Sequence, residues 1–308
     1  MNTKYSKKAN AKLLLSGEYL VLNGAKALAI PLKFGQQMTV NSIEEKILIW
    51  ESSVNGEIWF SAEFSLADLK LIKTSDVEIA NNLLNILKSA SGLNPDFFIN
   101  YKTGLKVIID ADYPLNWGLG SSSALIYLIA DWMGINEFQL NNKVSNGSGY
   151  DVACAAAGSP IFYQIIDHKP HITNARIGAA IRNHAVFAWL GNKQNSQQEV
   201  ENYLKTNKPT QKQIDQISAF SEIMSEVHNA GELIYTIELH EKIISEVLNN
   251  KNMVKNRFPE FNGAIKSLGA WGGDFAMFVS EKPCVELRDE LKKMGLEVMF
   301  SFDEIIKK

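Results

Sequence analysis

Apolar and polar positions in the first hundred residues alternate in short runs. "ALAIPL" (27–32), "QQMTVNSI" (36–43), "KILIW" (46–50) and "EIWFSAEF" (57–64) are β-rich. Turn residues separate them, including the pair Asn55-Gly56, which suits a tight hairpin. The period then changes. Val77, Ala80, Leu84 and Leu87 recur at helical spacing, and Ser75 with Glu78 three positions later has the form of a capping box. "LKVIIDAD" (105–112) returns to a strand. "SALIYLIADWM" (123–133) is too long and continuous for a surface strand and predicts a buried helix.

"NGSGYDVACAAAGSPIFYQII" adds a glycine turn, a short helix of small residues and a strand from about Ile161. A strand over 184–190, a polar loop and a helix capped by Ser196 with Glu199 follow. Amphipathic segments over 211–229 and 231–249 come next, then "AIKSLGAWGGDFAMFVS", a helix from about Pro283 and "GLEVMFSF". The strand-rich first part and the alternating second part predict an α+β protein with two domains, 1–180 and 181–308. No flexible linker marks the seam.

Bulk properties narrow the function class. The chain has 308 residues, 46% of them hydrophobic, which is enough for a full core. Its 31 basic and 34 acidic residues give a net charge of −3 and no electrostatic case for nucleic acid as the main partner. No apolar run is long enough for a membrane span, and "LLLSGEYLVLNG" is cut by Gly17 and Glu18 where a secretory core would continue. The expectation is a soluble cytoplasmic protein. Cys154 and Cys284 read as buried reduced thiols, and the histidines show no zinc spacing.

The chemistry concentrates in four stretches. "PLNWGLGSSSA" (114–124) places two glycines and three serines between a strand and a helix. Amides at a helix start have no helical partner, and glycine lets them approach phosphate oxygens closely. Gly118, Leu119, Gly120, Ser121, Ser122 and Ser123 fit that task. The Gly-Lys-Ser/Thr ending of a Walker A loop is missing. In "AKLLLSGEYLVL", Lys12 leads an apolar run and Glu18 sits in the following turn; taken alone, Lys12 is a solvated lysine beside a strand. In "GSGYDVA" (147–153), Asp151 opens a helix, where an aspartate is commonly only a cap. "GAWGGD" (269–274) carries glycines that suit close backbone approach or a bulge.

The order of these stretches, from residue 9 to residue 278, resembles the motif set of the GHMP kinases, which include galactokinase, homoserine kinase, mevalonate kinase and phosphomevalonate kinase. "GEY", "GSGYDVA" and "GGD" are most similar to the mevalonate-pathway branch, and to a bacterial group with the same "GYD(I/V)A" signature. The resemblance implies a two-domain fold with a ribosomal S5-like N-terminal domain and a ferredoxin-like C-terminal domain. It implies ATP and Mg²⁺ as cofactors, with the phosphates over residues 118–123 and Ser122 as a hydroxyl ligand to Mg²⁺. Asp151 is implied as general base or orienting anion at an acceptor hydroxyl, with Lys12 favouring the alkoxide. Glu18, Ser148, Gly149, Gly269, Gly272 and Gly273 are implied around the acceptor.

The function implied is transfer of the γ-phosphoryl group of ATP to an acceptor of the mevalonate pathway, phosphomevalonate first and mevalonate next. Diphosphomevalonate decarboxylation fits the third motif less well. A phosphorylated acceptor calls for further cations, for which Lys193, Lys12, Lys106 and Arg182 are candidates. Relatives carry a longer insert before the aspartate, with a Mg²⁺-binding glutamate on a helix. In this chain Glu137 is the available acid, and Asp131 is expected to face solvent. Trp271 stands where relatives have a small residue. The partners implied are ATP and a small molecule, neither nucleic acid nor membrane, with a homodimer as the candidate assembly. The alternative is a catalytically inactive ligand sensor or interaction protein on the same fold.

Overall fold

A computed structural model describes residues 3–191, 196–249, 253–269 and 274–307. In chain order the first elements are β1 (Thr3–Ser16), β2 (Ala27–Ile43), β3 (Ile47–Val54), β4 (Glu57–Ser65), β5 (Leu71–Thr74), α1 (Val77–Leu93) and β6 (Gly104–Ala111). The glycine loop leads into α2 (Ser121–Met133), α3 (Glu137–Val144), α4 (Tyr150–Ala156), β7 (Ile161–Ile166) and β8 (Lys169–Asn174). Then follow α5 (Ala179–His184), β9 (Ala185–Trp189), α6 (Ser196–Thr206), α7 (Gln211–Glu226), α8 (Ala230–Leu248) and α9 (Met253–Arg257). The last are β10 (Ala264–Leu268), β11 (Phe275–Val279), α10 (Cys284–Lys293), β12 (Met299–Ser301) and α11 (Phe302–Ile305).

The chain forms two compact units that interleave in sequence. One comprises residues 1–11, 34–115 and 120–156; the other comprises 12–33, 116–119 and 157–308. Strands β1 and β2 run through both.

In the first unit the strands lie in the order β5-β4-β3-β6-β2, with β3 and β6 parallel and the other pairs antiparallel. The β3–β4 hairpin turns on Asn55 (φ 51°) and Gly56 (φ 82°), both left-handed, as the sequence pattern predicts. Trp50, Phe60, Phe64, Leu87, Leu105 and Leu128 are buried in one core that sheet and helices share. The structure corrects two expectations from sequence. "ALAIPL" and "QQMTVNSI" form one continuous strand, because Gly35 marks a close approach and not a turn: a Cβ there would lie 2.1 Å from the Ala9 carbonyl oxygen. The cap of α1 is Asp76, whose carboxylate accepts from the amides of Glu78 (3.0 Å) and Ile79 (3.1 Å). Ser75 instead accepts the Ser61 amide across the β4–β5 pair.

In the second unit the antiparallel order β10-β11-β9-β12, with helices between β9 and β10 and between β11 and β12, is the βαββαβ ferredoxin-like plan. Val186, Ala188, Ile265, Ala276 and Phe278 join Val254, Leu287 and Leu291 in the core on one face. Successive strand side chains alternate in direction, so Lys266 points to the opposite face, where α8 packs. The expected strand at 184–190 begins one residue later, because α5 runs through His184. Among the described residues no helix is long and apolar enough to cross a membrane.

Asp76→Ala is expected to lower the unfolding free energy by about 1 kcal/mol, the usual worth of an N-cap. Ser75→Ala should cost clearly less. Urea titrations of the two variants check the assignment.

Candidate active site

The glycine loop is made of left-handed backbone. Gly118 has φ 71° and Gly120 has φ 86°, conformations in which a side chain is strained. Gly120 is the N-cap of α2, and no side chain caps that end. The Ala124 amide makes the first helical bond, to the Gly120 carbonyl (3.0 Å). The amides of Ser121, Ser122 and Ser123 therefore precede the helical ladder, where the dipole favours an anion. The Ser122 side chain is exposed, and its two neighbours are half-buried. From β2, Gln36 donates to the Ser121 carbonyl (3.2 Å) and fixes the start of α2.

Beside α2 in the same unit packs α4, whose Ala153, Cys154 and Ala155 are small enough to bury against a neighbour. Gly149 turns the chain into it with φ 88°. The Tyr150 amide donates to Ser148 Oγ (3.5 Å), and the Ala153 amide donates to the Gly149 carbonyl (3.0 Å). Asp151 lies in the first turn and is half-buried. The first unit thus brings together the serines of the loop's helix and the helix that carries Asp151.

The second unit includes residues 116–119, the start of the loop. Lys12, 7% exposed in β1, donates its amide to the Leu119 carbonyl (3.0 Å). A Cβ at Gly118 would lie 2.2 Å from Asp274 Cγ, so the buried Asp274 carboxylate occupies the space a side chain would need. The chain neighbours of these two residues extend the contact: Trp117 meets the rings of Phe275 (6.0 Å) and Phe300 (5.6 Å) edge-on. Gly269 is half-buried with φ 76°. Gly272, Gly273, Trp271 and Lys193 lie outside the described residues.

Glu18 is 1% exposed and belongs to a buried charge network. Lys266, fully buried in β10, donates to Glu18 Oε1 (2.6 Å), Glu241 Oε1 (2.9 Å) and the Ser267 carbonyl (3.0 Å). His240 adds its Nε2 3.3 Å from Glu18 Oε2 and its Nδ1 3.5 Å from Glu241 Oε1. Burial works against every charge here. It is outweighed at Glu241, where Lys266 holds the carboxyl down at about 2, and at Lys266, which the two glutamates hold above its usual value. At His240 burial and the Lys266 charge together lower the pKa and keep the ring neutral. The Gly17 amide, 3.5 Å from Nε2, suits an unprotonated nitrogen at that position.

Sequence reasoning did not single out Lys266 or Glu241. A signal existed for Lys266, a charged residue inside the apolar strand "AIKSL". Of the remaining candidate cations, Lys106 pairs with Glu51 (2.7 Å) and Arg182 stacks on Phe302 (4.6 Å). Asp131 does not face solvent alone: it accepts from Tyr5 (2.7 Å) and Lys7 (2.7 Å). Glu137 lies in the first turn of α3. Cys154 is buried as expected, whereas Cys284 is half-buried, and neither forms a disulfide. Among the described residues no group of three or more His, Cys, Asp or Glu could hold a metal ion. A Mg²⁺ ion carried in on phosphate oxygens and water needs fewer protein ligands, and the exposed Ser122 hydroxyl suits that role.

No family model matches the sequence, and no curated protein matches it. Solved structures do. Phosphomevalonate kinase from Streptococcus pneumoniae, in complex with phosphomevalonate and AMPPNP, superposes with a TM-score of 0.71 at 16% identity, covering 96% of this chain and 99% of that one. Mevalonate kinase from Methanococcus jannaschii gives 0.63 at 17% identity and 96% of each chain. Galactokinase from Lactococcus lactis, complexed with galactose, gives 0.57 at 14% identity, over 95% of this chain and 88% of that one. The chain therefore has the α+β fold of the GHMP kinases, as the motif order implies.

Gly118→Ala is expected to weaken folding, since it adds about 1–2 kcal/mol of left-handed strain to the clash with Asp274. Gly118→Ala combined with Asp274→Gly should destabilise by less than the sum of the two single variants, and the difference is the steric part. Thermal unfolding of the single and double variants measures both parts.

Proposed function

We propose that this chain is an ATP-dependent small-molecule kinase that phosphorylates an acceptor of the mevalonate pathway, phosphomevalonate in the first place and mevalonate next. The observation that carries the reading is the start of α2, which has no side-chain cap and follows two left-handed glycines. An anion is the natural partner of such an end, and the three serines that follow add hydroxyls where phosphate oxygens and Mg²⁺ would lie. The fold shared with phosphomevalonate and mevalonate kinases supports the same reading. In it, the ATP-binding domain is 1–180 and the C-terminal domain is 181–308.

Phosphoryl transfer asks for alignment and charge neutralisation more than covalent chemistry. The amides and hydroxyls of residues 121–123 hold the transferred group, and Ser122 is the Mg²⁺ ligand from the protein. When bound, Mg²⁺ neutralises charge developing on the phosphate oxygens. Asp151 orients the acceptor and takes the proton when the acceptor is a hydroxyl. Lys12 stabilises the attacking oxygen. With phosphomevalonate the attacking oxygen is already ionised, so orientation is the whole task of Asp151. Ser148, Gly149, Glu18, Gly269, Gly272, Gly273 and Lys193 shape the acceptor side.

ADP release measured with mevalonate, phosphomevalonate, homoserine and simple sugars tests the assignment. Turnover is expected with phosphomevalonate and more slowly with mevalonate. Nucleotide binding with no turnover on any acceptor would instead make the chain a ligand sensor. Asp151→Ala should cut turnover of a hydroxyl acceptor by roughly 10²–10⁴-fold and leave nucleotide affinity nearly intact. Loss of nucleotide binding in that variant would strip Asp151 of its role at the acceptor.

A further inference from the structure

We propose that Lys266 is a positioning residue for the glycine loop, acting through the ion pair with Glu18. The inference rests on the kinase reading only for its effect on nucleotide. Its geometric part stands by itself.

The second unit grips the loop at two points. The Lys12 amide holds the Leu119 carbonyl (3.0 Å), and the Asp274 carboxylate fills the space beside Gly118. These grips come from different strands. Lys12 belongs to β1, which ends at Ser16, two residues before Glu18. Asp274 precedes β11, whose residues pair with β10 in the register Lys266↔Met277 and Leu268↔Phe275. No chain connection nearer than the whole length between Glu18 and Lys266 sets the spacing of the two strands. The 2.6 Å ion pair does so directly. Glu241, held by the same ammonium and on α8, fixes the direction from which Lys266 reaches Glu18. The Ser267 amide donates to Glu241 Oε2 (3.4 Å) and ties the strand itself to the helix. A displaced tie shifts the two grips relative to each other, and the loop between them follows. Misplacement of a binding group by about 1 Å is enough to cost roughly 10²-fold in rate.

A purely structural brace predicts something different. Replacing a buried ionic cluster as a whole by neutral groups is often harmless to stability, whereas removing one member leaves an uncompensated charge. The test uses the full-length chain with all three charges removed, Lys266→Met, Glu18→Gln and Glu241→Gln together. The first readout is hydrogen exchange at the Lys12 amide, relative to the Phe187 amide in the central strand of the same unit. This readout needs no activity. The second is affinity for AMPPNP with Mg²⁺, and turnover where an acceptor is known.

The expected result is a folded protein in which Lys12 exchanges about ten-fold faster relative to Phe187, with AMPPNP affinity down about ten-fold and turnover down about 10²-fold. A folded triple variant with unchanged Lys12 exchange and unchanged AMPPNP affinity overturns the proposal. Should the triple variant not fold, Glu18→Asp is measured in its place. It keeps the charge but shortens the reach by one methylene, and unchanged Lys12 exchange there overturns the proposal equally. If the wild-type chain binds no AMPPNP, the kinase reading fails, while the exchange at Lys12 still decides the positioning role.

Discussion

An ammonium group with no exposed surface dictates how the second unit is assembled. Moving such a charge out of water costs several kcal/mol unless oxygen acceptors replace the lost hydration. Lys266 has three donor positions and finds three acceptors, from Glu18, Glu241 and the carbonyl of its own neighbour. Those partners lie on the turn after β1, on α8 and on β10. The three elements must therefore arrive together. The apolar core on the other face of the sheet, around Phe278 and Leu287, provides non-directional attraction. The charges add what that attraction lacks, a required distance and direction.

The consequences reach the loop. Its first residues are walled by protein groups. Asp274 crowds Gly118, Trp117 is wedged against Phe275 and Phe300, and Leu119 is bonded to β1. Glycine is needed at 118 for two separate reasons, the positive φ and the neighbouring carboxylate. Asp274 is itself held in place through its main-chain carbonyl, which accepts the Leu190 amide (2.8 Å) and locks the residue to the end of β9.

Much of the architecture was legible in the chain. The Asn55-Gly56 hairpin, the helix that opens with three serines and the small-residue helix of Asp151 each follow from residues within one or two turns of each other. The errors were of one kind. The first half of β1 carries Lys4, Lys7 and Lys8 and has no apolar run of its own, and pairing with β2 makes it a strand. The runs 27–32 and 36–43 read as separate strands because the proximity of Gly35 to Ala9 has no local signature. Ser75 and Asp76 are both good caps, and pairing of β4 with β5 decided between them by engaging Ser75. The glycine loop of Gly118 and Gly120, the helix start at Ser122 and the short helix of Asp151 could be located from residue type and order, and their roles belong to the proposal. Lys266 and Glu241 could not, since neither belongs to a glycine turn or a helix start.

Backbone preference and hydrophobic period act over a few residues, and so the chain by itself settled where most helices, hairpins and the glycine turn before α2 would form. Which charge neutralises Lys266, which strand runs beside Leu119, and which carboxylate closes on Gly118 were decided only by the tertiary fold. The Lys266–Glu18, Lys12–Leu119 and Gly118–Asp274 contacts each join residues about a hundred or more positions apart, and even Lys266 and Glu241 are 25 apart. Electrostatic and steric complementarity depend on distance in space, and no local rule along the chain carries that distance.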